Sequence, residues 1–194
     1  QMIDVLCVPG HKGLRGPSGI GAMFLSPTFA AHLDPLITGG TGSDSDSELQ
    51  PRYMPDRFES GTPNLPGIYG LHAALDELLA EGISNRRERE EMLLRRFFAG
   101  LERIKGIRVL GTRDLSRRVG VVSIDCTCVR DNAVVADRLA NEYGILTRCG
   151  LHCAPNAHKT YGTFPQGTVR FSFNSSNNGE EIDAALAALQ EILG

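Results

Sequence analysis

The sequence predicts an α/β fold with helices layered on a sheet, and three observations predict it. Apolar, β-branched runs alternate with helical patterns along the rear third of the chain. Three segments place apolar residues at helical spacing and each stops at a glycine: Gly82, Gly106 and Gly144. The composition is that of a folded globule: 194 residues, 41% hydrophobic, 22% charged, net charge -3. A chain of this length buries roughly 70% of its unfolded surface and needs no disulfide staples. The same numbers exclude other classes. The apolar fraction is too high and the charge too small for disorder, and no basic stripe marks a nucleic-acid binder. No apolar run approaches a membrane span, and the opening residues do not read as a signal peptide. Five cysteines, an odd number without dense spacing, fit a reducing compartment, so a cytoplasmic protein is expected.

Taken in order, residues 3–8 are apolar and β-branched and predict a short buried strand, followed by a glycine-rich loop over 9–21 and a second strand over 22–25. Glycine is about 11% of the chain against a usual 7% or so, and the excess gathers at residues 10–21 and 39–42. Residues 39–47 and 50–66 hold an SDSDS run and four prolines and read as long loops, of the kind that are usually functional or docked. Ile68, Leu71, Leu75, Leu78 and Leu79 then form one helical face. Ser84 is the expected cap of the next helix, whose face is Leu94, Phe97, Phe98, Leu101 and Ile104, with the charged residues 86–91 as its solvated first turns. Strands are predicted over 119–125, 145–149 and 168–173. Asp131 caps a helix to Tyr143, and Asn178 caps a last one through Leu193. The chain opens in mid-element on Gln1, which suggests a piece of a longer protein.

Three constellations can carry chemistry. In GHKGLRGPSGIG, Lys12 sits among glycines just after a strand, a setting that desolvates an amine and makes it a nucleophile or Schiff-base former; a glycine-rich turn with a surface lysine is the plainer reading. Neither the phosphate P-loop nor the dinucleotide fingerprint fits the glycine order. In RCGLHCAPNAH, Cys153 follows His152 with Arg148 nearby, which points to a stabilised thiolate or to a cysteine simply packed in a loop. Cys149, His152, Cys153 and His158 match no established zinc spacing, so no metal is expected. Cys126 and Cys128 flank Thr127 and would share one side of a strand as inert packing, and Cys7 reads the same way. In GTVRFSF, Arg170 faces away from Val169 and Phe171, suited to a bidentate carboxylate clamp or to a surface salt bridge.

GHKGLRGPSGIG, RFESGTPNLPG, RCGLHCAP and GTVRFSF follow one another in this order across essentially the whole chain. The sequence thereby resembles the C-terminal half of a class V aminotransferase-fold enzyme that uses pyridoxal 5'-phosphate, in the cysteine desulfurase and selenocysteine lyase branch. The resemblance implies the fold type I transferase architecture, with residues 1–83 as the tail of the large cofactor domain and 84–194 as the small α+β domain. It implies that Lys12 binds the cofactor aldehyde and that His11 contacts its phosphate. Thr62 would reach the phosphate of the neighbouring subunit's cofactor, hence a homodimer. Arg170 would bind the substrate carboxylate, and Cys153 would accept sulfur as a persulfide, turning L-cysteine into L-alanine for a sulfur-acceptor protein. Selenocysteine lyase and aminotransferase are the neighbouring alternatives; a non-catalytic domain that needs an upstream partner is the distant one. Pro9 departs from the pattern, since the family usually has Ser or Thr there and proline offers neither hydroxyl nor amide hydrogen. The family's ring-stacking histidine and its aspartate for the pyridine nitrogen lie upstream of the lysine, so residues 1–194 alone are expected to bind the cofactor weakly and to be inactive.

Overall fold

A computed structural model describes residues 3–194; Gln1 lies outside the described residues. The chain divides into two compact units, one ending at Gly82 and one running from Ile83 to Gly194. Among the described residues no helix is long and apolar enough to cross a membrane.

In the first unit β1 (Val5–Pro9) and β2 (Gly21–Leu25) pair antiparallel, Val5 opposite Leu25 and Pro9 opposite Gly21. Proline is tolerated there because it stands at the strand's end. The glycine-rich segment joins the two strands and closes on itself. Gly10 N–H donates to Ile20 O at 2.8 Å and Gly16 N–H to Gly10 O at 2.8 Å. A Cβ on Gly10 would lie 2.8 Å from Ile20 O, so the turn requires glycine. The segment rests on α2 (Leu65–Glu81), Gly16 against Leu71 and Pro17 against Gly70. Arg15 adds ion pairs to Glu77 and Glu81, each at 3.6 Å. Asn64 caps α2, accepting from Gly67 N–H at 3.1 Å, and its Nδ2 donates to Gly19 O at 3.3 Å.

Two expectations fail in this unit. The first strand begins at Val5, and its residues are mostly exposed, Cys7 among them, because a two-stranded ribbon has no second layer in this unit to cover it. A short helix, α1 (Pro27–His32), was not anticipated; Ser26 caps it by accepting from Phe29 N–H at 3.3 Å. The long loop is docked. Gln50 Nε2 donates to the carbonyls of Asp56 and Arg57 at 3.2 Å each, and Arg57 Nη1 to Ala30 O at 3.2 Å.

The second unit comprises α3 (Ile83–Leu101), β3 (Ile107–Val109), β4 (Val121–Cys126), α4 (Asn132–Tyr143), β5 (Arg148–Gly150), α5 (Pro155–Tyr161), β6 (Thr168–Ser172) and α6 (Gly179–Leu193). The strands form one antiparallel sheet in the order β3-β4-β6-β5. Alternation along each strand divides its faces. Val122, Ile124, Val169 and Phe171 enter a core with Leu94 and Phe97 of α3, Leu139 of α4 and Ile182 and Leu189 of α6. Ser123, Asp125, Thr168 and Arg170 take the opposite face. Asp131 caps α4, accepting from Ala133 N–H at 2.8 Å, and Gly144 ends it in the left-handed region at φ 67°. Asn178 and Glu181 form a full capping box on α6.

The charged start of α3 is not the solvated turn its sequence suggests. The helix begins at Ile83, so Ser84 lies inside it. Arg86 and Glu90 pair at 3.3 Å with side chains only 14% and 15% exposed. Arg87 donates to the carbonyls of Leu115 and Arg118, drawn inward by a loop that needs donors. Arg118 in turn donates from Nε to Val121 O at 3.0 Å and from Nη2 to Leu110 O at 3.2 Å, and reaches Thr112 O. Its guanidinium lies 5.1 Å from the Phe98 ring centroid. Arg118→Met keeps the stem but leaves these carbonyls unpaired. It is expected to cost about 2–3 kcal/mol in a urea titration. The two strand cysteines also part company. β4 ends at Cys126, which is buried, and burial pushes its thiol up to about 12. The chain turns before Cys128, which is exposed.

Candidate functional site

The first unit contributes the lysine loop. Lys12 and His11 sit at the tip of the turn closed by Gly10 and Gly16, and both are exposed. The expected desolvation of Lys12 is therefore not a property of this unit: the loop's backbone bonds close behind it and leave its side chain outward. No hydrogen bond or ion pair among the described residues engages its amine. Thr62 is exposed just ahead of the Asn64 cap, and the Asn64–Gly19 bond ties that segment to the lysine loop. The unit thus offers an amine for a carbonyl, and an imidazole and a hydroxyl for an anion. Pro9, as the last residue of β1, adds no donor.

The second unit contributes Arg170 and the cysteine loop. In the sheet Arg170 stands between Ser123 on β4 and Arg148 on β5. Two like charges directly opposite one another are unfavourable unless an anion joins them. No carboxylate pairs with either among the described residues, and Arg170 Nε is buried with no hydrogen-bond partner there. A cavity of about 250 Å³ adjoins it, lined by Arg170, Ser123, His152, His158, Tyr161 and Arg118. Among the described residues Arg170 makes no surface salt bridge.

β5 is only three residues long, later and shorter than the sequence pattern suggests, because Gly150 at φ 107° turns the chain out of the sheet. Gly167 packs directly on Gly150, an approach no Cβ would permit. The chain then reaches His152 and Cys153, both in the left-handed region at φ 52° and 61°. Each such residue costs about 1–2 kcal/mol. Cys153 is exposed, and Arg148 Nη2 lies 3.6 Å from its sulfur. His152 Nε2 bonds Thr168 Oγ1 at 3.2 Å, while its Nδ1 is buried without a partner. Burial, followed by the nearby Arg170 and His158 charges, pushes the His152 imidazole below its ordinary value. His158 is held by Thr163 Oγ1 at 2.7 Å, its ring centroid 5.6 Å from that of His152. Among the described residues no three His, Cys, Asp or Glu side chains converge as a metal would require.

The sheet thus brings Cys153 and Arg170 to one side of the unit, with Arg148 touching the first and facing the second. Thr168, which holds the cysteine loop, was missed from the sequence. α5 was missed too, although Pro155 right after the cysteine motif is a helix-start signal.

The aminotransferase class-V family matches residues 1–185. A probable cysteine desulfurase of Pyrococcus abyssi is 35% identical over 193 residues, covering 98% of this chain and 47% of its own length. A cysteine desulfurase of Escherichia coli O157:H7 is 32% identical, covering 97% of this chain and 45% of its own. Among solved structures, the apo cysteine desulfurase of Thermococcus onnurineus superposes with a TM-score of 0.87 at 33% identity, over 98% of this chain and 47% of its own. The cysteine desulfurase CsdA (S-sulfonic acid) of Escherichia coli superposes with a TM-score of 0.86 at 29% identity, over 98% and 46%. The chain spans about half the length of the relatives it matches.

Proposed function

We propose, since this chain belongs to the aminotransferase class-V family and has the α/β architecture of the fold type I pyridoxal-phosphate enzymes, that it serves a cysteine desulfurase. The observation that carries this reading is the second unit's sheet face, where Arg148, directly opposite the unpartnered Arg170, reaches the sulfur of exposed Cys153. Residues 1–83 are read as part of the large cofactor domain and 84–194 as the small domain. The cofactor's donor requirements fit the first unit: the Lys12 amine is unengaged and exposed, and His11 and Thr62 suit a phosphate. When bound, pyridoxal phosphate supplies an electron sink that acidifies the substrate Cα–H. Arg170 holds the substrate carboxylate and fixes that bond's direction. Lys12 moves the Cα proton. The Cys153 sulfur attacks the substrate sulfur; an S–S bond forms as the C–S bond breaks, and that bond's electron pair stays on the carbon that leaves as alanine. An acceptor protein's thiolate in the cytoplasm then attacks the outer sulfur, forming its own persulfide as the Cys153 S–S bond breaks and returns Cys153 as a thiolate. Thr62 completes the site of a second copy in a homodimer.

Cys153→Ala tests the reading. Sulfur delivery to the physiological acceptor is expected to fall at least about 100-fold, with cofactor absorbance unchanged. Delivery at the parent rate would sink the persulfide route, and release of a keto acid in place of sulfide would assign an aminotransferase. The assay is run with pyridoxal phosphate added, and the cofactor's absorbance is recorded alongside sulfur delivery.

A further inference from the structure

The cysteine loop is tied to the sheet by two side-chain contacts among the described residues, and they are unequal. Arg148 reaches the Cys153 sulfur at 3.6 Å from an exposed position. His152 Nε2 meets Thr168 Oγ1 at 3.2 Å, and Thr168 is 0% exposed. The buried contact is the anchor, because water cannot substitute for it. It also works against strain. His152 and Cys153 are consecutive non-glycine residues in the left-handed region, and such a pair persists only where its surroundings over-determine it. Within the loop, Ala154 N–H to Leu151 O at 2.8 Å closes the turn but does not fix its tilt on the sheet. Thr168 stands on β6 two positions before Arg170 and on the same face.

We propose that His152 is a positioning residue: by bonding Thr168 it holds the Cys153 sulfur in fixed relation to the Arg170 guanidinium. The idea rests on the reading of Cys153 as the sulfur acceptor and of Arg170 as the carboxylate clamp. Sulfur transfer needs those two groups at one spacing, since the carboxylate and the sulfur belong to the same small substrate. The imidazole suits the task, as its Nε2 side meets a buried hydroxyl and the ring, like Arg170, lines the same cavity.

The test reads the cysteine itself. Carboxamidomethylation of Cys153 by iodoacetamide is followed by peptide mass spectrometry in the full chain, with exposed Cys128 as the internal reference. In His152→Ala the Cys153:Cys128 rate ratio is expected to fall about 3- to 10-fold, as the sulfur leaves its charged donor Arg148. Thr168→Val, which only exchanges a hydroxyl for a methyl, should produce the same fall and serves if the alanine variant does not fold. The double variant should be no worse than either single one. His152→Gln, whose amide reaches the Nε2 position, should restore the ratio. A ratio within about twofold of the parent in Thr168→Val, or additive effects in the double variant, overturns the proposal. A parallel desulfurase assay separates the two readings. An inactive, cofactor-loaded parent whose ratio still follows His152 and Thr168 supports the anchor and removes the desulfurase.

Discussion

Replacing Arg170 by leucine is expected to move stability and activity in opposite directions. The guanidinium has no anionic partner among the described residues, its Nε is buried without an acceptor, and it faces a second arginine across the strands. An uncompensated charge in such a place costs folding energy, so Arg170→Leu should stabilise the unit by about 1 kcal/mol in a urea titration. Activity should collapse. A carboxylate held by a fork of N–H groups is a charge-assisted pair, and truncating one side of such a pair costs about 2–5 kcal/mol. That corresponds to a fall in kcat/KM for L-cysteine of roughly 30- to several-thousand-fold, seen mainly as a raised KM. Arg170→Lys keeps the charge and loses the fork, and should lie between the two. If the leucine variant were less stable than the parent, the guanidinium would have a structural partner and the clamp assignment would fail.

This opposition is the expected mark of a site whose missing partner is the substrate. Elsewhere in the second unit α4 and α6 are capped, the strands are paired, and Arg118 donates to the carbonyls of Leu110 and Val121. Of the buried side-chain atoms without a partner among the described residues, Thr147 Oγ1, His152 Nδ1 and Arg170 Nε, the last two belong to residues that line one cavity.

How far the sequence could be read depended on how local each cause was. α4 and α6 were legible because Asp131, Gly144 and Asn178 act on backbone groups within a few residues. α5 and β3 are short, at seven and three residues, too few for a periodicity to register. The start of α3 was misread because a run of alternating charges shows sign and not neighbours. Only the fold reveals that Arg86 and Arg87 turn toward half-buried carboxylate and carbonyl oxygens. The site divides along the same line. Lys12, Cys153 and Arg170 stand in motifs, whereas the bond from His152 to Thr168 joins residues sixteen apart and depends on two left-handed residues that the letters His-Cys do not announce.

Phe97→Ala is expected to be the most destabilising single change in the second unit. Phe97 is fully buried, with ring centroids 5.0 Å from Phe171 and 4.9 Å from Phe173 in tilted and edge-on geometries. It is the point at which α3 keys into β6, and truncating a buried phenylalanine costs about 3–5 kcal/mol. A domain of this size loses about 4–8 °C of Tm per kcal/mol, so a drop of roughly 12–40 °C should appear in far-UV circular dichroism. Phe97→Leu leaves a smaller void and should cost markedly less. The consequence reaches the site, because Phe171 is the next residue after Arg170 on β6. A strand no longer pressed from its core face cannot hold a guanidinium fixed on the other. In protein kept well below its melting point, Phe97→Leu should therefore raise KM for L-cysteine, the substrate proposed for Arg170. An unchanged KM beside a lowered Tm would show that β6 holds its register without the aromatic cluster.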